Sequence, residues 1–325
     1  MNKKLIDCFL FYNEENLLVS RIKYLQKYID YFCIVESEYS FTGNRKKFTA
    51  RKIIEKHFGA QFLIERIHIL ENYEYVTEQG FQSIEEKYAN SQLIIELRNQ
   101  FKVIKYDKYV WLNDCFQREL LAFAIRDCIK DKKLTTDSIT IIVSDVDEIP
   151  SQSYAIEQIE DKSCIVYAEM IQYRYNLSII DEEKWIGSVK FNYDLLDSLS
   201  VNELRFAPKR AFSVIKDYEI QRNAGWHFTS FGKIDDIKLK MKSWGHQELN
   251  TFINRTFLPF RLKYGLDIFG RNISYSISCK NFLPDELKKH LNFYHDKTVL
   301  KPNFFHNLIH KGIRVIDRMV YALIK

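Results

Sequence analysis

The first part of the chain alternates short apolar runs with amphipathic stretches. Leu5–Tyr12 is almost continuously apolar, which is typical of a strand buried on both faces of a parallel sheet. The apolar residues that follow recur at helical spacing as far as Ile29, and Tyr31–Val35 is a second apolar run that ends at Glu36. This pattern predicts a strand–helix–strand unit of an α/β protein with a Rossmann-like sheet.

The alternation continues to about residue 150 and is less regular beyond it. A third strand is predicted at Ile67–Leu70, helices at Leu93–Ile104 and Cys115–Ile129, and a central strand at Ser138–Val143. The later part of the chain predicts strands at Cys164–Tyr175, Trp185–Tyr193 and Leu204–Val214 and helices at Ile234–Lys242 and Gln247–Phe257. We therefore expect a mixed sheet flanked by helices.

The end of the chain has a pattern of its own. Residues 304–325 place their apolar side chains on one helical face, with Lys311, Arg314 and Arg318 elsewhere, which predicts a basic amphipathic helix. Two interpretations stay open, since the helix either docks on the rest of the protein or contacts an anionic membrane surface. We predict a catalytic domain over residues 1–250 and a helical extension over residues 251–325.

The balance of charge argues against a nucleic-acid partner. The 48 Lys and Arg exceed the 43 Asp and Glu only slightly, and the net charge of +5 is spread along the chain, which better suits an anionic small ligand or membrane surface. The six cysteines lack the close spacing of zinc or redox sites, so we expect reduced thiols. With no secretory signal and no apolar run of about 18 residues, the sequence predicts a cytoplasmic protein.

Asp145 and Asp147 are the first candidates for chemistry. They leave the carboxyl end of the predicted central strand, where open α/β sheets bind their ligands. Two carboxylates at this spacing are suited to one hard divalent cation, which in turn can neutralise a diphosphate leaving group. The alternative is a turn in which the aspartates accept backbone N–H bonds.

Histidines next to tryptophans supply a second group of candidates. His227 follows Trp226, and His246 follows Trp244 by two residues, so either imidazole is a candidate for a metal or phosphate contact, beside an indole face suited to a sugar ring. Ordinary structural roles remain the alternative for both histidines.

Four further residues are candidates for catalysis or nucleotide binding. An inverting sugar transfer needs a base, for which Glu248 is the first candidate and Glu148 the second. Glu36, at the end of the second strand, lies where a nucleotide base or ribose would bind, and Arg118 is a candidate for a phosphate or uracil contact. Solvated or ion-paired side chains are the alternative for each.

Taken in order, several segments resemble glycosyltransferase family 17, the β-1,4-mannosyl-glycoprotein β-1,4-N-acetylglucosaminyltransferase family, and its microbial members. The resemblance covers roughly residues 5–250. It rests on the segments Asp7–Glu14, Val35–Ser37, Phe41–Gly43, Asn113–Asp114, Gln117–Arg118, Val143–Pro150, Gly225–Phe228 and His246–Glu248.

The resemblance implies a GT-A type fold, a UDP-sugar donor (UDP-N-acetylglucosamine), a divalent metal such as Mn²⁺ or Mg²⁺ and an inverting displacement. It also implies that Asp145 and Asp147 are ligands of the metal and the diphosphate. From their own residue type, His227 remains a candidate third metal ligand and His246 a candidate contact of the donor. Animal members carry an N-terminal membrane anchor, whereas this chain starts almost at its first strand. We therefore expect a glycan or lipid-linked glycan acceptor at the inner membrane face.

Two other functions stay open at this point. One is a carbohydrate- or nucleotide-binding module that has the fold and no turnover. The other is a glycoside hydrolase with two carboxylates across the glycosidic bond.

Overall fold

In the computed structural model, residues 3–271, 273, 275–277, 283–291 and 299–324 are described. They form two compact units. The first contains the residues up to Met170 together with Trp185–His227, and the second contains Ile171–Lys184 and the residues from Phe228 onward. The predicted boundary at residue 250, between a catalytic domain and a helical extension, stays a prediction. Cys279 and Lys325 lie outside the described residues.

Strands and helices alternate in the first half of the chain. In chain order the strands are β1 (Lys4–Phe11), β2 (Tyr31–Ser37), β3 (Ile67–Asn72), β4 (Ile139–Asp145), β5 (Glu148–Pro150), β6 (Val166–Arg174), β7 (Ile179–Asp181), β8 (Trp185–Asn192), β9 (Glu219–Thr229) and β10 (Tyr275–Ile277). The helices are α1 (Glu15–Leu25), α2 (Ala50–Phe58), α3 (Ala60–Arg66), α4 (Phe81–Lys87), α5 (Gln92–Val103), α6 (Lys108–Asp131), α7 (Gln152–Ile156), α8 (Val201–Phe206), α9 (Ile234–Ser243), α10 (Phe252–Thr256), α11 (Leu258–Lys263), α12 (Asp285–Leu291) and α13 (Phe304–Ile324).

The first unit is built on a parallel core of four strands in the order β3-β2-β1-β4. Strand β8 pairs antiparallel with β4, and the first part of β6 pairs antiparallel with β8. Helix α6 packs across β1, β2 and β3 with a largely buried face. Because β2 and β4 are buried along almost their whole length, their sequences are continuous apolar runs. The architecture confirms the predicted α/β class with a Rossmann-like mixed sheet flanked by helices.

The second unit has a smaller core. Strand β7 pairs antiparallel with β10 and with the end of β6. The buried side chains that define this core are Tyr175, Ile179, Ile237, Met241, Leu258, Ile268 and Phe269. The chain ends in the helix α13, which confirms the predicted C-terminal helix. Among the described helices, none is long and apolar enough to cross a lipid bilayer.

Two predictions of individual elements were wrong, and one strand was not predicted. Residues 204–214 were predicted as a strand, but α8 and a 3₁₀ turn occupy this region, because the Ser200 hydroxyl accepts the N–H of Glu203 and starts a helix. Residues 247–257 form a 3₁₀ turn and the separate helix α10, which begins where the Thr251 side chain accepts the N–H of Asn254. The strand β9 was not predicted, because its first five residues are largely exposed and carry no apolar run.

Candidate active site

Asp145 is the last residue of β4 and Asp147 lies in the short turn before β5, so this Asp145–Asp147 loop is at the carboxyl edge of the parallel core. Their side chains differ in exposure, with 36% of Asp145 and 8% of Asp147 accessible to solvent. The backbone N–H of Asp145 donates to Oε2 of Glu148 at 3.3 Å, so Glu148 closes this turn. The loop therefore presents one open and one nearly buried carboxylate.

Arg21 fixes the backbone of this loop. Its guanidinium donates to the carbonyl oxygens of Asp145 at 3.1 Å and Glu148 at 2.5 Å, and to the hydroxyl of Ser144 at 2.5 Å. The same guanidinium is paired with the carboxylate of Asp7 on β1 at 2.6 and 2.7 Å, and both side chains are fully buried. A fully buried ion pair of this kind holds its geometry, because breaking it would leave an unpaired charge away from solvent.

A second arginine holds the loop from the side of α8. The carboxylate of Glu148, which is fully buried, accepts from Arg205 and from the indole Nε1 of Trp185 at 2.6 Å. Arg205 also donates to the carbonyl of Gly187 at 2.5 Å. Glu148 as a base stays a prediction. The bonds that it makes are those of a group that positions the loop.

Cationic side chains surround the open carboxylate. Oxygens of Asp145 lie 4.0 Å from Nη2 of Arg118 and 3.9 Å from Nη2 of Arg205, close enough for attraction and too far for a hydrogen bond. Within the described part of the chain, the buried Nε atoms of both arginines have no hydrogen-bond partner. Such orphaned donors are typical of sites that take water or a ligand.

Lys209 adds a third cation to this group. Its ammonium nitrogen lies 3.4 Å from the centre of the Trp185 ring, a cation–π contact. Burial of the ammonium, followed by the charge of Arg205, lowers the pKa of Lys209 to about 8. The residue as a whole is exposed, and its charged end packs on the Trp185 ring. Arg118, Arg205 and Lys209, here called the cation cluster, thus lie around Asp145 and Glu148.

His227 approaches the second aspartate. On β9 it is the register partner of Glu148, and its Nε2 lies 3.8 Å from Oδ2 of Asp147. Its ring packs on Trp185 at 4.7 Å between centres. Two ligands at about 2.0–2.2 Å from one ion lie at most about 4.4 Å apart, so this pair fits a shared divalent cation. The described residues contain no group of three or more His, Cys, Asp or Glu side chains able to hold a metal.

Gly225 allows β9 to reach this position. A Cβ atom on it would lie 2.5 Å from the carbonyl oxygen of Ile149 and 2.9 Å from Cα of Pro150. We expect Gly225→Ala to push β9 from β5, lowering stability by about 1–3 kcal/mol and separating His227 from Asp147. Urea unfolding and transfer assays measure both effects. Gly312→Ala is the control, because a Cβ there has open space, and equal behaviour of the two variants would contradict the prediction.

Other predicted site residues have different surroundings. The buried carboxylate of Glu36 accepts from Lys46 at 2.5 Å and from the backbone N–H groups of Thr49 and Ala50 at 2.8 and 2.9 Å, so it caps the start of α2. In the second unit, Nδ1 of His246 lies 2.7 Å from Oε1 of Glu248, and both side chains are about half exposed. Their roles in nucleotide binding and base catalysis stay predictions.

The sequence reasoning missed several members of this arrangement. Asp7 is a charge inside an otherwise apolar strand, a signal of a buried partner, but nothing local identifies Arg21 as that partner. Arg205 and Lys209 lie one helical turn apart in a segment that was predicted as a strand. Trp185 was noted only as the start of a strand.

Comparison with known proteins identifies the family of this chain. The family model of glycosyltransferase family 17 matches residues 1–99 and 78–259. Among solved structures, the crystal structure of HddC from Yersinia pseudotuberculosis has 8% sequence identity and a TM-score of 0.33, covering 69% of this chain and 92% of that chain, a likeness that supports no conclusion. No curated protein matches. Because the two matched segments overlap and together span most of its length, the chain belongs to glycosyltransferase family 17.

Proposed function

We propose that this protein transfers a sugar, N-acetylglucosamine, from a UDP-sugar to a hydroxyl of a glycan or lipid-linked glycan, with inversion, at a GT-A type site. Membership of the family supports glycosyl transfer. The observation that supports the position of the site is the Asp145–Asp147 loop, which lies at the carboxyl edge of the parallel core with His227 3.8 Å from Asp147.

Asp147 and His227 are the residues that would hold Mn²⁺ or Mg²⁺, with the remaining ligands taken from the diphosphate of the donor. A bound divalent cation would neutralise the charge that develops on the leaving UDP. Asp145 would face the donor from the open side of the loop. Its carboxylate is too far from Arg118 and Arg205 for a hydrogen bond to either, so it can contact a ligand instead.

The cation cluster supplies charge of its own. Arg118, Arg205 and Lys209 are donors around the open side of the loop, and charge-assisted hydrogen bonds to phosphate oxygens are among the strongest in proteins. We propose that they bind the diphosphate and stabilise it as the bond to the sugar breaks. Arg21 and Glu148 hold the loop still, so the charges are placed before the reaction.

An inverting displacement also needs a base to accept the proton of the acceptor hydroxyl. Glu248 is our candidate, because its carboxylate is about half exposed and lies 2.7 Å from Nδ1 of His246. Glu148 is less suited to this role, because Arg205 and Trp185 occupy its buried carboxylate.

The test is binding and transfer with a panel of UDP- and GDP-sugars, with Mn²⁺ and with a chelator. Selection of UDP-N-acetylglucosamine with metal-dependent release of UDP is the expected result. Binding without turnover on any glycan acceptor would instead indicate a binding module. Hydrolysis of glycans without a nucleotide would indicate a hydrolase.

Removal of the Lys209 charge is expected to weaken donor binding. Lys209→Met keeps the length of the side chain and loses one charge-assisted contact, so we expect the KM for the UDP-sugar to rise by about tenfold or more. The control is Lys216→Met, at an exposed lysine of the same unit. Steady-state kinetics at a fixed acceptor concentration measure this change. An unchanged KM in the Lys209 variant would show that Lys209 does not contact the donor.

A further inference from the structure

Helix α13 is attached to the second unit by a narrow strip of its surface. The strip consists of His306, His310, Ile313 and Asp317, which recur at intervals of four, three and four residues and so lie along one line of the helix. The His306 ring stacks on Tyr264 at 3.7 Å between centres, His310 and Ile313 are buried, and the Thr251 hydroxyl donates to Asp317 at 2.6 Å. We call these four residues the docking strip.

Most of the apolar surface of α13 lies outside the docking strip. The apolar face consists of Phe304, Phe305, Leu308, Ile309, Val315, Ile316, Met319 and Val320, which are between 38% and 75% exposed. At 100° per residue these positions cover roughly 160° of the helix circumference. Leu323 was predicted on the same face, and its side chain lies outside the described part of the chain. A continuous exposed apolar surface of this kind marks an interaction site.

Basic residues border the apolar face. Lys311 and Arg318 are exposed and Arg314 is half-buried, and all three lie on the side of the helix between the docking strip and the apolar face. The only acidic side chain in the described length of α13 is Asp317, which the docking strip uses. The helix thus presents a wide apolar face with positive charge along one edge.

We propose that the apolar face of α13 inserts into the interfacial region of an anionic lipid membrane, with its axis parallel to the surface. Aliphatic and aromatic side chains at half exposure fill the boundary between headgroups and acyl chains, while Lys311 and Arg318 reach anionic headgroups. Charge complementarity favours lipid over pairing with α13 of a second copy, because that helix brings another positive edge and its one acidic side chain in the described length, Asp317, is bonded to Thr251. On this proposal, the two interpretations of the helix from its sequence apply to different faces.

The test is co-flotation of the full-length chain with vesicles of phosphatidylcholine alone or mixed with phosphatidylserine. We expect binding to the mixed vesicles, weakened by salt. The triple variant Phe305→Gln, Ile309→Gln and Ile316→Gln should lose most of this binding, because glutamine preserves helix propensity and removes apolar area. Lys311→Gln with Arg318→Gln should weaken it by roughly fivefold per residue.

A matched control separates this face from general surface hydrophobicity. Ile64, Ile95 and Val103 are 50–67% exposed elsewhere on the chain, and their triple change to glutamine should leave vesicle binding unchanged. Asp147→Asn should also bind vesicles normally, so a failure of the proposed transfer reaction would not be mistaken for a failure here. Equal flotation of the wild type and the α13 triple variant would overturn the proposal. So would a dimer in solution that the triple variant dissociates while vesicle binding is absent.

Discussion

Asp147→Asn is expected to lower the rate of sugar transfer by about a hundredfold to a thousandfold while leaving the fold intact. The change is nearly isosteric and removes a single charge from a side chain that is 8% exposed. An amide oxygen is a poor ligand for a hard cation compared with a carboxylate. The expected loss therefore falls on kcat, which reports charge stabilised in the transition state.

Two comparisons make this result interpretable. Asp197→Asn is the control, because its carboxylate is 74% exposed and its ion pair with Arg126 is long, at 3.7 Å. This variant should transfer sugar at the wild-type rate. The activity that remains in the Asp147 variant should no longer respond to Mn²⁺ or to a chelator. A variant that transfers at nearly the normal rate, or that keeps its full response to Mn²⁺, would show that Asp147 does not hold the metal.

Burial explains which strands were predictable. Strands β1, β2 and β4 were found within a few residues, because a strand covered on both faces must be apolar throughout, and that pattern is local. Strand β9 was missed because only its second half is buried, from Ala224 onward. The helix α8 was mistaken for a strand because Leu204 and Phe206 alternate with polar residues over a segment too short to establish a helical period.

The candidate site was predictable in part for a similar reason. The position of Asp145 and Asp147 follows from the end of a buried strand, which is a local feature. The approach of His227 to Asp147 depends on the pairing of β5 with β9, strands far apart in sequence. The cation cluster depends in the same way on packing, since Arg118 and Arg205 come from α6 and α8 and Lys209 packs on Trp185 of β8.

Arg21→Met is expected to produce the largest loss of stability, about 3–5 kcal/mol. The change leaves the Asp7 carboxylate buried without its partner and removes the donors of the Asp145 and Glu148 carbonyls. Thermal and urea unfolding, followed by near-ultraviolet circular dichroism, would measure the loss. Arg126→Met is the control, because its guanidinium is 37% exposed and lies 3.7 Å from the exposed Asp197.

The double variant Asp7→Asn with Arg21→Met separates the two consequences of losing Arg21. Neutralising position 7 removes the unpaired buried charge, so we expect the double variant to regain a substantial part of the stability lost by Arg21→Met alone. The carbonyls of Asp145 and Glu148 still lack their donor, so transfer should stay low in a protein that is folded again. If transfer recovers together with stability, the buried pair serves only the fold. If stability returns and transfer does not, the bonds from Arg21 to the loop are what place the two aspartates for catalysis.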